Sequence, residues 1–244
     1  MKPFLPVLFL TFIVFTALKC KDDTILAGSI EMNLKARFND QPMILNKIYD
    51  YNGKKVRFSK LSFFISDIHN ENSSKIAMPI ALVHFKDNDD STTAAKGLNI
   101  TVNNFDIGNN TQFGFGIGVS SEMNTKKPKD FPSSNPLSEA SEFWDAWNSY
   151  IFSKLEGAID KDGDGKFETG ITLHTGGNEI YQKINFEKSF SIAENQKAPL
   201  NFELNVNKLI DGIDLATVNS THQTGDLPTM KKFKSNFNTA LTIK

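Results

Sequence analysis

The sequence has little cysteine, little histidine and almost no net charge. One cysteine among 244 residues rules out an intramolecular disulfide and any thiolate-rich zinc or iron–sulfur site. Lysine plus arginine number 27 against 28 aspartates and glutamates, a formal charge of −1. Without a basic excess the chain is ill suited to neutralise phosphates, which argues against a nucleic-acid partner. No HExxH pair occurs among the four histidines, so a hydrolytic zinc helix is unsupported. A nucleophile elbow, a defensible Ser-His-Asp arrangement and a phosphate-cradling glycine loop are missing too. Residues 114–118 (GFGIG) superficially match a nucleotide motif, but their strict alternation marks a strand. Disorder is excluded by a hydrophobic content of 39% that includes 21 phenylalanines, enough for a packed core.

The N-terminus reads as an export signal. Lys2 supplies a positive start, and an apolar run of about 15 residues follows, short of the ~20 that span a bilayer. Cys20 comes directly after it, where a bacterial lipoprotein is cleaved and acylated. Lys19 departs from the usual small residue before that cysteine. The expected organisation is a lipoprotein signal peptide at 1–19, a tether at 20–28 and a single domain at 29–244. Acyl chains on Cys20 would hold the protein at a membrane surface. Lys21-Asp22-Asp23 resembles the export signal of Bacteroidetes surface lipoproteins, so the expected location is the outer membrane, surface-exposed or periplasm-facing.

The remainder reads mainly as strands. Ile30, Met32, Leu34, Ala36 and Phe38 alternate with polar residues, as do Leu98, Ile100 and Val102, and Leu200, Phe202, Leu204 and Val206. Phe113, Phe115, Ile117 and Val119 alternate with Gly114, Gly116 and Gly118, and three glycines on one face predict a bulky neighbour there. The fold expected is mainly β: an antiparallel sandwich of Greek-key type. One inserted helix is expected around 138–156, from the spacing of Trp147, Ile151 and Leu155 with Gly157 as its end. Phe233, Phe237 and Leu241 predict a short C-terminal helix.

Two sets of residues carry candidate chemistry. Asp160, Asp162 and Asp164 with Gly165 match the first half of an EF-hand loop; Lys166 would offer its carbonyl and Glu168 its carboxylate. Ile171 stands where the bidentate Glu belongs, and the flanks look like strands, so a structural calcium site on a non-EF-hand scaffold is expected. The alternative is an acidic turn that binds nothing tightly. Among the histidines, His84 and His174 sit on strands, where an ordinary core or edge histidine is the default and a copper or zinc ligand is the sharper reading. His69 and His222 lie in polar contexts and read as surface residues.

Several phrases together resemble the MbnP-like family, in a Bacteroidetes-type surface lipoprotein branch. They are Leu61-Ser62-Phe63-Phe64-Ile65-Ser66-Asp67-Ile68, FGFGIGV at 113–119 with Asn124, FWDAWNSYIFSKLEG at 143–157, and Leu173-His174-Thr175-Gly176-Gly177. The resemblance spans roughly residues 30–206 and implies a β-sandwich that binds copper through histidines. It also implies a tryptophan, here Trp144 or Trp147, oxidised to kynurenine by a dihaem, MauG-type partner. His174 matches the family's histidine phrase. His84 matches no ligand position of the family and is expected as a ligand, with His69 as a further candidate, from the scarcity of histidine rather than from the resemblance. Ser66 stands where copper-associated branches carry histidine. The function expected is metal binding and handling rather than catalysis. A calcium-stabilised surface interaction or glycan-binding module is the alternative.

Overall fold

The computed structural model describes residues 28–73, 75–222 and 224–244. The signal peptide, Cys20 and all of the tether but Gly28 lie outside these residues. In chain order the strands are β1 (Gly28–Phe38), β2 (Gln41–Pro42), β3 (Ile48–Tyr51), β4 (Lys54–Asn70), β5 (Ile76–His84), β6 (Leu98–Phe105), β7 (Gly108–Ile117), β8 (Phe143–Trp144), β9 (Ser149–Asp160), β10 (Thr169–Gly176), β11 (Gln182–Ile192), β12 (Lys197–Asn205) and β13 (Leu241–Ile243). The helices are α1 (Ser91–Lys96), α2 (Ser121–Asn124), α3 (Val206–Leu209) and α4 (Leu227–Ala240).

These strands form a β-sandwich. One sheet runs β13-β12-β1-β2 with β6 also on β1; the other runs β10-β9-β4-β7-β11 with β3 and β5 on β4 and β8 on β9. The β1–β12 pair is parallel, and the other pairs between named strands are antiparallel. Alternation in β1 does what period two requires: Ile30, Met32, Leu34, Ala36 and Phe38 are buried while their neighbours are partly exposed. Phe202 from the first sheet meets Phe113, Phe115 and Phe186 from the second, with ring centroids 5.3–6.0 Å apart. Phe63 packs on Phe237 of α4, the helix the C-terminal spacing predicts.

The second sheet is buried on both faces over much of β4 and β9, which explains their unbroken apolar runs. Its outer face carries a smaller core of Phe64, Ile80, Val119, Leu137, Tyr150, Phe152, Ile180 and Met230. An irregular strap covers that face. It contains α2 and the 3-10 turns Pro128–Asp130, Pro136–Ser138, Ala140–Glu142 and Asp145–Trp147. The Tyr150 hydroxyl fastens the strap by donating to the Leu137 carbonyl at 2.8 Å, and burial pushes its pKa up to about 12.

The helix expected around 138–156 does not form. Residues 149–160 are the strand β9, and the part before it is 3-10 turns and the two-residue β8. A spacing of four is even, so Trp147, Ile151 and Leu155 fit period two as well as a helix. Asn148 turns the chain with φ +47° just before β9 begins. Gly157 is no helix cap: a Cβ there would stand 2.1 Å from the Arg57 carbonyl, so glycine permits the close approach of β9 to β4. The glycines at 114–118 do meet the bulky neighbours that their spacing predicts. Tyr181 lies over Gly116 and the Phe152 ring over Gly118.

Candidate metal centre

The outer face of the second sheet carries a row of polar side chains in register. His84 on β5 pairs with Ser62 on β4, Ser62 with Lys154 on β9, and Lys154 with His174 on β10. Paired positions point to the same face, so His84 and His174 share it. They stand three strands apart, about 14 Å at ordinary strand spacing, and one ion cannot touch both. The expected pairing of His84 with His174 is therefore not met. His69 is elsewhere again, beside Gly114 of β7. Its Nδ1 faces the Asp67 carbonyl at 2.5 Å and its Nε2 the Glu71 carboxylate at 2.9 Å, so both ring nitrogens are engaged.

The histidine that does meet His174 is His222. Its Nε2 lies 3.1 Å from His174 Nδ1, with ring centroids 4.8 Å apart. The segment 219–221 joins the edge of β10 as a short parallel addition. Thr172 N–H donates to the Asn219 carbonyl at 2.7 Å, and Thr221 N–H donates to the Thr172 carbonyl at 3.2 Å. The Thr221 hydroxyl then accepts from His174 N–H at 2.8 Å and donates to the His174 carbonyl at 2.5 Å. The polar context of His222 predicts a surface residue, and the structure instead places it against His174. Its place comes from these long-range bonds, and no local signal encodes them.

Further groups complete the cluster. His174 Nε2 contacts the Glu156 carboxylate at 2.9 Å. Burial, opposed by Glu156 and helped by His222 and Lys154, holds the His174 pKa below its ordinary value, so the ring is neutral at neutral pH. Trp144 stands edge-on to His222 with centroids 4.5 Å apart, and Trp147 stacks on Trp144 at 4.3 Å. Lys154 does not reach His174; it bonds the Glu142 carboxylate at 2.8 Å and the Ser141 carbonyl at 2.7 Å. That buried ion pair ties the strap to β9 and fixes the turn that delivers Trp144. A cavity of about 470 Å³ opens beside Trp147, against Gly176, Leu227 and Met230.

This histidine pair, with tryptophans at its side, sits where the phrases of residues 143–157 and 173–177 converge. A family model, that of MbnP, matches residues 27–224. The chain belongs to the MbnP family. Among solved structures, MbnP from Methylosinus trichosporium is similar, with a TM-score of 0.51 and 11% sequence identity. That likeness covers 78% of this chain and 80% of the other, and at this identity it shows a shared fold. No curated protein matches the chain.

The acidic loop of this MbnP-family chain joins β9 to β10, at the far end of the hairpin from His174. Carboxylate oxygens of Asp160, Asp162 and Asp164 lie within 4.8 Å of one another. Asp160 accepts from Gly163 N–H at 2.7 Å and Gly165 N–H at 2.9 Å, and Asp164 from Lys166 N–H at 2.8 Å. The Lys166 ammonium pairs with the other Asp164 oxygen. Strands flank the loop, as its sequence pattern predicts.

Proposed function

We propose that this MbnP-family protein binds a copper ion between His174 Nδ1 and His222 Nε2 and handles copper at a membrane surface. The convergence of two imidazoles beside the stacked tryptophans carries the reading, and their separation is compatible with a shared ion. Imidazoles sharing a first-row ion at about 2.0–2.1 Å stand about 2.8–3.4 Å apart for ligand angles near 90–109°. The observed 3.1 Å falls in that interval. Neutral imidazole suits copper, and burial keeps His174 neutral. When bound, copper would supply a redox-active, Lewis-acidic centre beside Trp144. The chain's own part is to hold the two rings, to exclude water with the Trp144–Trp147 stack, and to anchor His174 through Thr221. Lipidation of Cys20 would tether the domain to the outer membrane. Trp144 and Trp147 are the side chains on which a MauG-type dihaem partner would act.

The test is metal analysis of the mature protein purified under copper, with His174→Ala and His222→Ala as controls. Stoichiometric copper lost in both variants is expected. A wild-type protein without copper overturns the reading. Intact-mass measurement of protein made with its native partners reads any change to the tryptophans.

The acidic loop supports a compatible second reading, a structural calcium site, because its three carboxylates already converge. Millimolar calcium should then raise the melting temperature, and Asp162→Ala should remove the rise. An unchanged melting temperature counts against it.

A further inference from the structure

We infer that Glu156 is a positioning residue that fixes the tautomer of His174, keeping the proton on Nε2 and leaving Nδ1 bare toward His222. Its bearing on metal rests on the copper reading above; the tautomer itself does not. An ionised carboxylate only accepts hydrogen bonds, so the 2.9 Å contact between Glu156 Oε1 and His174 Nε2 requires the proton on Nε2. The Lys60 ammonium, 4.0 Å from the same oxygen, is a counter-charge for that carboxylate.

The register of the sheet makes this arrangement specific. Glu156 pairs directly with Thr172, and Lys154 pairs directly with His174, so the carboxylate reaches the ring along the diagonal. The direct neighbour offers nothing to the imidazole, because Glu142 and the Ser141 carbonyl occupy its ammonium. With its proton on Nε2, the neutral ring has one lone pair left, at Nδ1. His222 Nε2, 3.1 Å away, therefore donates to it in the metal-free protein. The two ligand nitrogens are thus unequal. His174 Nδ1 already carries the lone pair an ion needs and is freed once His222 stops donating to it. His222 Nε2 opens only when its proton moves to that ring's other nitrogen. A carboxylate behind a ligating histidine also raises its basicity, and losing such a partner costs about 10–100-fold in metal affinity.

The experiment is two-bond proton–nitrogen correlation spectroscopy on the full, histidine-labelled, metal-free protein. Wild type, Glu156→Gln and Glu156→Ala are compared, and copper affinity is titrated on the same samples. The wild type should show His174 protonated at Nε2 alone. Both variants should show a mixture of tautomers and copper binding weaker by about 10–100-fold. A wild-type proton on Nδ1, or an unchanged tautomer in both variants, overturns the role. A copper affinity unchanged in both variants, with the tautomer released, overturns the bearing of Glu156 on metal. A wild type that shows the Nε2 tautomer, released in the variants, yet takes up no copper sinks the copper reading and leaves the tautomer role standing.

Discussion

The Thr221 hydroxyl bonds both backbone groups of His174, accepting from its N–H and donating to its carbonyl. One buried side chain thus stands in for a missing strand at the edge of β10 and sets the position of the next residue, His222. Thr221→Val keeps the shape and removes both bonds. Leaving buried backbone groups unpaired costs about 1–3 kcal/mol each. For the two groups together we expect urea denaturation to show a loss of about 2–6 kcal/mol and, on the copper reading, a fall in copper affinity, with Thr221→Ser close to wild type. Equal stability of the valine and serine variants would contradict this account.

The stacked tryptophans depend on a residue with no side chain. A Cβ at Gly176 would stand 2.9 Å from Trp147 Cε3 and 2.7 Å from the Tyr150 carbonyl. Both contacts are closer than a Cβ tolerates, so the β10 backbone has to shift away from Tyr150 and Trp147 has to move as well. Gly176→Ala should destabilise the fold by about 1–3 kcal/mol, as overpacking does. It should also alter the near-ultraviolet circular dichroism of the coupled indoles. An unaltered spectrum would place the tryptophan stack elsewhere.

The Lys154–Glu142 pair is buried, with side chains 3% and 6% exposed. Removing one partner strands a charge away from water, at about 3–5 kcal/mol. Lys154→Met and Glu142→Leu should each show a large loss. The double variant Lys154→Met with Glu142→Leu should recover most of it, because an apolar pair carries no desolvation penalty. Additive losses in the double variant would mean that the two groups act separately.

Much of the fold is legible in the sequence because the sheets obey period two. The alternation of β1 and β12 and the helical spacing of Phe233 and Phe237 are local signals, and each gives the right element. The segment 138–156 misleads because a four-residue spacing serves both periods and Gly157 resembles a helix end. His174 is found from its phrase. Its partner is not, since 48 residues of chain separate them and only backbone bonds at a sheet edge bring His222 close. His84 looks equally favourable on its strand, and only the strand order puts three strand spacings between it and His174.

His84 nevertheless titrates in a telling way. Burial, with Lys60, Lys86 and Lys154 assisting and Glu142 opposing, lowers its folded pKa below the ordinary 6.5. A depressed folded pKa means that the unfolded chain binds more protons below about pH 6.5. The stability linked to neutral His84 is therefore complete above that pH and is lost as pH falls toward the folded value. His174 shifts in the same direction and adds to the loss. Urea denaturation of chelator-treated protein at pH 7.5, 6.5 and 5.5 should show wild-type stability declining toward acid. His84→Gln cannot take up this proton, so its decline should be shallower, with the remaining slope due to His174 and the carboxylates. A His84→Gln profile parallel to wild type would mean that His84 is solvated enough to protonate freely in the folded state.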